Sequence, residues 1–413
     1  MNKSWKNLNS ILKKFVDEQT VFGCGIRIYH EGEFIYEQCY GSATADGKRP
    51  YTADTRLRLY SMTKNFTCAA LMTLYDKGLF ALKDPVAEYL PEFKDPVVCV
   101  SGSDISDVVP AKRPITIRHL LSMRSGIPYY PFFDDPAADP VQKELWKVAK
   151  ETEKRHHEGR ENTLGDFVKR IASVPLCFHP GDHWRYGLSH TVVGRLIEVL
   201  SGKSYGEYMK EAIWEPLGLT RTCFAKDLTQ ADEIAETKVS AELIGPFGLT
   251  PDPSAFPAGR SDAFGSKEDI LPGPEFGFAL PCGGISSTLR EVSRLYAMFA
   301  DYGEYEGSRI LGRRTIDLMR ENLLNEEQLR EIAAEESNWG FGYGLGFRTF
   351  LSAKEAGMYL PKGSFGWDGA SGNYGLASPD NRFAFVFSEQ SLPHNIYYTI
   401  PRVVAAMNAD MNL

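Results

Sequence analysis

The chain has 413 residues, 43% apolar and 24% charged, a balance that fits globular domains and excludes a disordered, collagenous or coiled-coil chain. Its length suits two or three ordinary domains, or one large domain with an insertion. With 46 basic against 54 acidic residues the formal charge is −8, which removes any global argument for a nucleic-acid partner.

Residues 5–15 pattern as an amphipathic helix, with Trp5, Leu8, Ile11, Leu12 and Phe15 near a 3–4 spacing. Lysines interrupt it, so no apolar run reaches secretory-signal length. None elsewhere nears the roughly 18 residues of a membrane span, and a cytoplasmic chain with no membrane partner is expected. Residues 23–41 read as a β-hairpin turning at Glu31-Gly32, and 55–60 as a strand running into Ser61. Residues 62–77 follow as a helix stopped by Gly78. Helical patterns at 117–123, 163–171, 190–201 and 208–213 make up the middle. The Gly- and Pro-rich stretch 243–282 reads as a pocket wall.

Helices are expected again at 289–301 and 314–322, with strands at 342–350, 374–377 and 382–388 and a last helix at 397–408. Strands at both ends around a helical middle predict an α/β (α+β) fold, in which an antiparallel sheet from the N- and C-terminal segments is flanked by helices. Residues 1–90 with 280–413 would form that part, and 91–279 a mainly helical, loop-rich inserted domain, with the active site in the cleft between them. The seven cysteines are dispersed and never spaced C-x-x-C, which argues against a disulfide framework or a zinc site. No metal or cofactor is expected.

No G-x-S-x-G, Walker loop, G-x-G-x-x-G or H-E-x-x-H occurs. What does occur is Ser61-Met62-Thr63-Lys64. Residues three apart share a helix face, so the Ser61 hydroxyl and the Lys64 amine can meet, and a desolvated lysine is a competent base for a serine nucleophile. The pattern alone is weak, since one or two S-x-x-K matches are expected by chance and Ser10 to Lys13 supplies one on the solvated first helix.

Residues 50–64, from Pro50-Tyr51-Thr52 to Ser61-Met62-Thr63-Lys64, resemble the nucleophile segment of the serine β-lactamase and penicillin-binding-protein superfamily, in its class C β-lactamase-like branch. The resemblance continues, in order, through residues 115–126, Pro180-Gly181-Asp182-His183-Trp184-Arg185-Tyr186, residues 283–288, residues 342–347 and Phe365-Gly366-Trp367-Asp368-Gly369. It implies Ser61 as acylated nucleophile, Lys64 as its base and Tyr186 as the second-motif tyrosine, acting as a tyrosinate or as a Tyr–Lys pair. It also implies an oxyanion hole from the backbone N–H groups of Ser61 and Ala370, and a substrate-binding strand end at Trp367, Asp368 and Gly369.

Two positions depart from the family pattern. Tyr186-Gly187-Leu188 lacks the usual polar third residue, and Trp367 stands where β-lactamases and transpeptidases carry a carboxylate-binding lysine. Both departures favour a small ester substrate over a β-lactam or a D-amino-acid peptide. They also keep a catalytically silent binding protein as the alternative of a different class. Arg118-His119 and Ser125-Gly126 read as supports of the fold, His183 and His190 as structural, and His156-His157 as a solvated face.

Overall fold

Apolar residues at positions 8, 12 and 15 give the first helix, α1 (Lys6–Asp17), one buried stripe, as its spacing predicts. The computed structural model describes residues 4–131, 135–228, 234–239, 263–264 and 276–411. Most of the pocket wall expected at 243–282 therefore lies outside the described residues.

Helix α1 leads into the hairpin β1 (Gly23–His30) and β2 (Glu33–Gly41). Its turn residues Glu31 and Gly32 have φ +53° and +98°, the left-handed pair that a two-residue antiparallel turn needs. Strand β3 (Arg56–Arg58) then delivers the chain to Ser61, and α2 (Thr63–Asp76) follows. The helical middle holds α3 (Ile117–Leu121), α4 (Pro140–His157), α5 (Leu164–Ala172), α6 (Ser189–Ser201) and α7 (Tyr205–Met209). Thr116, Asp139, Thr163 and Ser204 cap four of these by accepting a backbone N–H of the first turn.

The chain returns through β4 (Ile285–Thr288), which pairs antiparallel with β3 and runs straight into α8 (Leu289–Ala300). Two short helices, α9 (Arg313–Met319) and α10 (Glu326–Ile332), precede the strands β5 (Phe341–Tyr343), β6 (Arg348–Phe350), β7 (Phe365–Asp368), β8 (Tyr374–Ser378) and β9 (Phe383–Glu389). Helix α11 (Ile396–Met411) closes the molecule.

One seven-stranded antiparallel sheet, in the order β5-β6-β7-β8-β9-β1-β2, joins the two ends of the chain, as expected. Both faces of its central strands are covered. Phe383, Phe385 and Phe387 of β9 pack with α1 and α11, while Ala384 and Val386 belong to the core containing α2, α6 and α8. That two-sided burial makes β9 a continuous apolar run rather than an alternating one.

Helices α4 and α10 were not expected from the sequence. Only Val141, Leu145, Ala149 and Thr152 of α4 are buried, a stripe too narrow to stand out among its charges, and α10 is barely two turns long. The helix expected at 208–213 begins earlier, at Tyr205, and ends in a π turn over Lys210–Trp214.

Candidate active site

Ser61 sits on a strained corner. Tyr60, between β3 and Ser61, has φ +48°, a left-handed conformation unusual for a bulky residue, and Tyr60–Met62 form one 3₁₀ turn before α2. No helix cap at this turn uses the Ser61 hydroxyl. The corner is braced from across the sheet by Gly369, where a Cβ would collide with the carbonyl oxygen of Leu59. The end of β7 thus packs directly against the turn that carries Ser61.

Lys64 is fully buried in the first turn of α2, with Nζ 3.1 Å from Ser61 Oγ. It also donates to the Tyr129 hydroxyl at 2.8 Å and to the Cys282 carbonyl oxygen at 2.6 Å. Burial is the main cause that lowers its pKa to about 8, so a neutral amine is accessible near physiological pH. The Cys282 carbonyl can only accept, so it claims one N–H of the amine. With Tyr129 taking a second, the lone pair is left for the Ser61 hydroxyl proton.

Tyr186 lies opposite. Its hydroxyl accepts from Trp367 Nε1 at 3.1 Å, and its ring lies 4.7 Å from Lys64 Nζ. Burial pushes the phenol well above its ordinary range, which keeps it protonated. Of the two forms expected for this tyrosine, that burial favours the neutral phenol of a Tyr–Lys pair over the free tyrosinate. The ring continues an aromatic wall, 5.4 Å from Tyr129 and 5.2 Å from Trp367. Gly187 carries no side chain because the Ile127-Pro128 backbone presses on it, and that contact brings Tyr129 beside Tyr186. The hydrogen bond to Lys64 that a polar residue at 188 would make is therefore supplied by Tyr129, while Leu188 is buried.

Trp367 is buried against Tyr343, with ring centroids 5.3 Å apart. Beneath it Arg348, itself buried, holds its guanidinium 4.5 Å from the Trp367 ring and pairs with Asp368. Asp368 is also 3.8 Å from His394 Nε2. Ala370 follows Gly369 on the turn between β7 and β8, where Gly369 N donates to Asn373 O at 2.8 Å.

Ser61, Lys64, Tyr186 and Trp367 are thus brought together, whereas Ser10 and Lys13 of the second S-x-x-K stand exposed on α1. His119 closes a capping box with Thr116, and Ser125 Oγ lies 2.8 Å from Ser189 Oγ, so both blocks hold the fold. His190 is buried 3.0 Å from Cys68 Sγ, and burial keeps its pKa well below the usual imidazole value. His156 and His157 are exposed on α4. The sequence reading missed Tyr129, the Cys282 carbonyl and Arg348. Only Tyr129 had a signal, as one of two tyrosines directly after the block ending at Gly126. A cavity of about 750 Å³ lined by Tyr29, Asp301, Arg309 and Arg382 shares no residue with this site. Its charges already pair, Arg382 with Asp301 at 2.8 Å and Arg309 with Glu304 at 2.6 Å.

A family model described as Beta-lactamase matches residues 8–397. Esterase EstB of Burkholderia gladioli is 28% identical over 307 residues, covering 70% of this chain and 73% of its own. Acyltransferase calJ of Penicillium decumbens is 30% identical over 404 residues, 93% of this chain and 86% of its own. Among solved structures, EstCE1, titled a hydrolase with promiscuous acyltransferase activity, superposes with TM-score 0.73 at 22% identity, over 97% of both chains. Among the described residues, no helix is long and apolar enough to cross a membrane.

Proposed function

This chain belongs to the beta-lactamase family, and from that premise we propose that it is a carboxylesterase that cleaves small esters through an acyl-enzyme on Ser61. The observation that carries the reading is the contact of Ser61 Oγ with a fully buried Lys64 whose pKa burial lowers to about 8. Ser61 Oγ attacks the ester carbonyl as its proton passes to Lys64 Nζ. The backbone N–H groups of Ser61 and Ala370 hold the oxyanion. As the C–O bond to the alcohol breaks, the proton returns from Lys64 through the Tyr186 hydroxyl to the leaving oxygen. Water, activated by the same pair, then releases the acid and restores Ser61. The substrate lies in the cleft between the sheet part and the helical insertion, against Trp367, Asp368 and Gly369.

The aromatic wall of Trp367, Tyr186 and Tyr129 supports an ester over a β-lactam or D-amino-acid peptide, because no lysine stands at the third motif to meet a carboxylate. Purified protein should hydrolyse short-chain p-nitrophenyl esters, and Ser61→Ala should lower the rate by about 10³-fold or more. Activity surviving that substitution would rule out the mechanism. Nitrocefin turnover above ester turnover would move the assignment to a β-lactamase. A wild type with neither turnover nor a phosphonate adduct would leave a silent binding protein.

A further inference from the structure

The segment that delivers Tyr186 is latched to α10. Gln328 is fully buried and donates from Nε2 to Gly181 O at 2.9 Å and to Asp182 O at 3.2 Å. Glu331, one turn on, accepts from Trp184 N at 2.7 Å and lies 2.5 Å from His183 Nδ1. Glu327, one turn before Glu331, brings a second carboxylate to the same corner. One ligand atom from each of His183, Glu327 and Glu331 lies within 4.8 Å of the others, and no second such group occurs among the described residues.

We propose that His183, Glu327 and Glu331 form a binding site for a divalent cation of the zinc class, which clips the Tyr186 segment to α10. The donor set decides the class of ion. One imidazole with two carboxylates suits zinc, cobalt or nickel, whereas magnesium and calcium take oxygen donors alone. Spacing agrees as well. Donors about 2.0–2.2 Å from a tetrahedral zinc lie about 3.3–3.6 Å apart, between the 2.5 Å of the His183–Glu331 contact and the 4.8 Å span of the group, a re-spacing that side-chain rotation can supply. The His183 side chain is 47% exposed and Glu327 is exposed, so both are able to turn, while Gln328 and the Trp184 amide hold the two backbones in place. Two neighbouring carboxylates repel, and a dication neutralises both. Three protein ligands leave a fourth position for water. The site is separate from the proposed Ser61 chemistry, but His183 lies only three residues from Tyr186.

The test is calorimetric titration of the untagged full chain with zinc chloride, with visible absorption of the cobalt complex as a second readout. One equivalent should bind, with the cobalt bands of a four-coordinate N/O site, and zinc should raise the melting temperature. Glu327→Gln should weaken that equivalent by about tenfold or more without changing the melting temperature of the metal-free protein. Adding His183→Ala should abolish it, and His156→Ala, which removes one of the two exposed histidines on α4, should leave it intact. Absence of binding at about 100-fold excess zinc, or an affinity untouched by Glu327→Gln and His183→Ala, or one lost only in His156→Ala, would overturn the proposal.

Discussion

Removing the Tyr129 hydroxyl should retune the base. An ammonium at Lys64, itself fully buried, is satisfied by three acceptors, Ser61 Oγ at 3.1 Å, Tyr129 at 2.8 Å and the Cys282 carbonyl at 2.6 Å. A neutral amine has only two N–H groups to place, so losing one acceptor penalises the charged form more than the neutral one. A hydrogen bond to a charged donor is worth about 1.5–3 kcal/mol, and each pKa unit corresponds to about 1.36 kcal/mol. Tyr129→Phe should therefore move Lys64 down from about 8 by about one unit or slightly more. The assay is kcat/KM for a p-nitrophenyl ester from mildly acid to mildly basic pH. Because the neutral amine is the active form, the rate should rise with pH through the Lys64 pKa, and in Tyr129→Phe that rise should come earlier by about one pH unit. A rise that stays near pH 8, or moves to higher pH, would refute the placement of Tyr129 as an acceptor to the general base.

Two further substitutions probe the surroundings. Trp367→Phe keeps the aromatic wall but deletes the donor 3.1 Å from the Tyr186 hydroxyl. At about 1 kcal/mol for a neutral hydrogen bond it should lower kcat/KM by about fivefold, and an unchanged kcat/KM in steady-state assays would deny that bond a role. Glu389, at the end of β9, is fully buried, with Oε1 3.4 Å from Asn395 N, and burial raises its carboxyl to about 8. A carboxyl whose folded pKa lies above its unfolded value stabilises fully below the unfolded pKa and loses that contribution as pH rises toward 8. Glu389→Gln should therefore gain melting temperature on the wild type as pH is raised from about 5 to about 8, and a difference independent of pH would contradict a buried, protonated Glu389.

The sheet and the Ser61–Lys64 contact were legible in the sequence because both rest on local rules. Strands β1 and β2 show a turn pair and β9 an unbroken apolar run, both local signals. Ser61 and Lys64 meet because helix geometry fixes neighbours three apart, again a local rule. Helix α4 was hidden because its buried stripe has one residue per turn and polar residues fill the rest. Tyr129 and Cys282 were hidden because they reach Lys64 from 65 and 218 residues away, through packing that no spacing encodes. Gly187 shows how such a contact arises. Read from the sequence, the gap it opens in the second motif is a missing polar group, but in the fold it is the space through which the backbone before Tyr129 passes.

The third motif makes the same point about charge. Trp367 in place of a lysine reads as a loss of positive charge, yet a guanidinium lies 4.5 Å from its ring. That guanidinium belongs to Arg348, is buried and is paired with Asp368, so its charge is spent inside the protein, on a carboxylate and on the face of the indole. A substrate carboxylate approaching Trp367 would lose water against aromatic carbon, and Arg348, already paired with Asp368, would not repay that loss. An uncharged ester has no such penalty. Under the proposed mechanism the ratio of ester to carboxylate-bearing substrate turnover therefore measures how completely Asp368 neutralises Arg348. Asp368→Asn, which frees the guanidinium while keeping the side-chain shape, should shift that ratio toward the carboxylate-bearing substrate, and a ratio that stays fixed would mean that substrate choice is made elsewhere in the cleft.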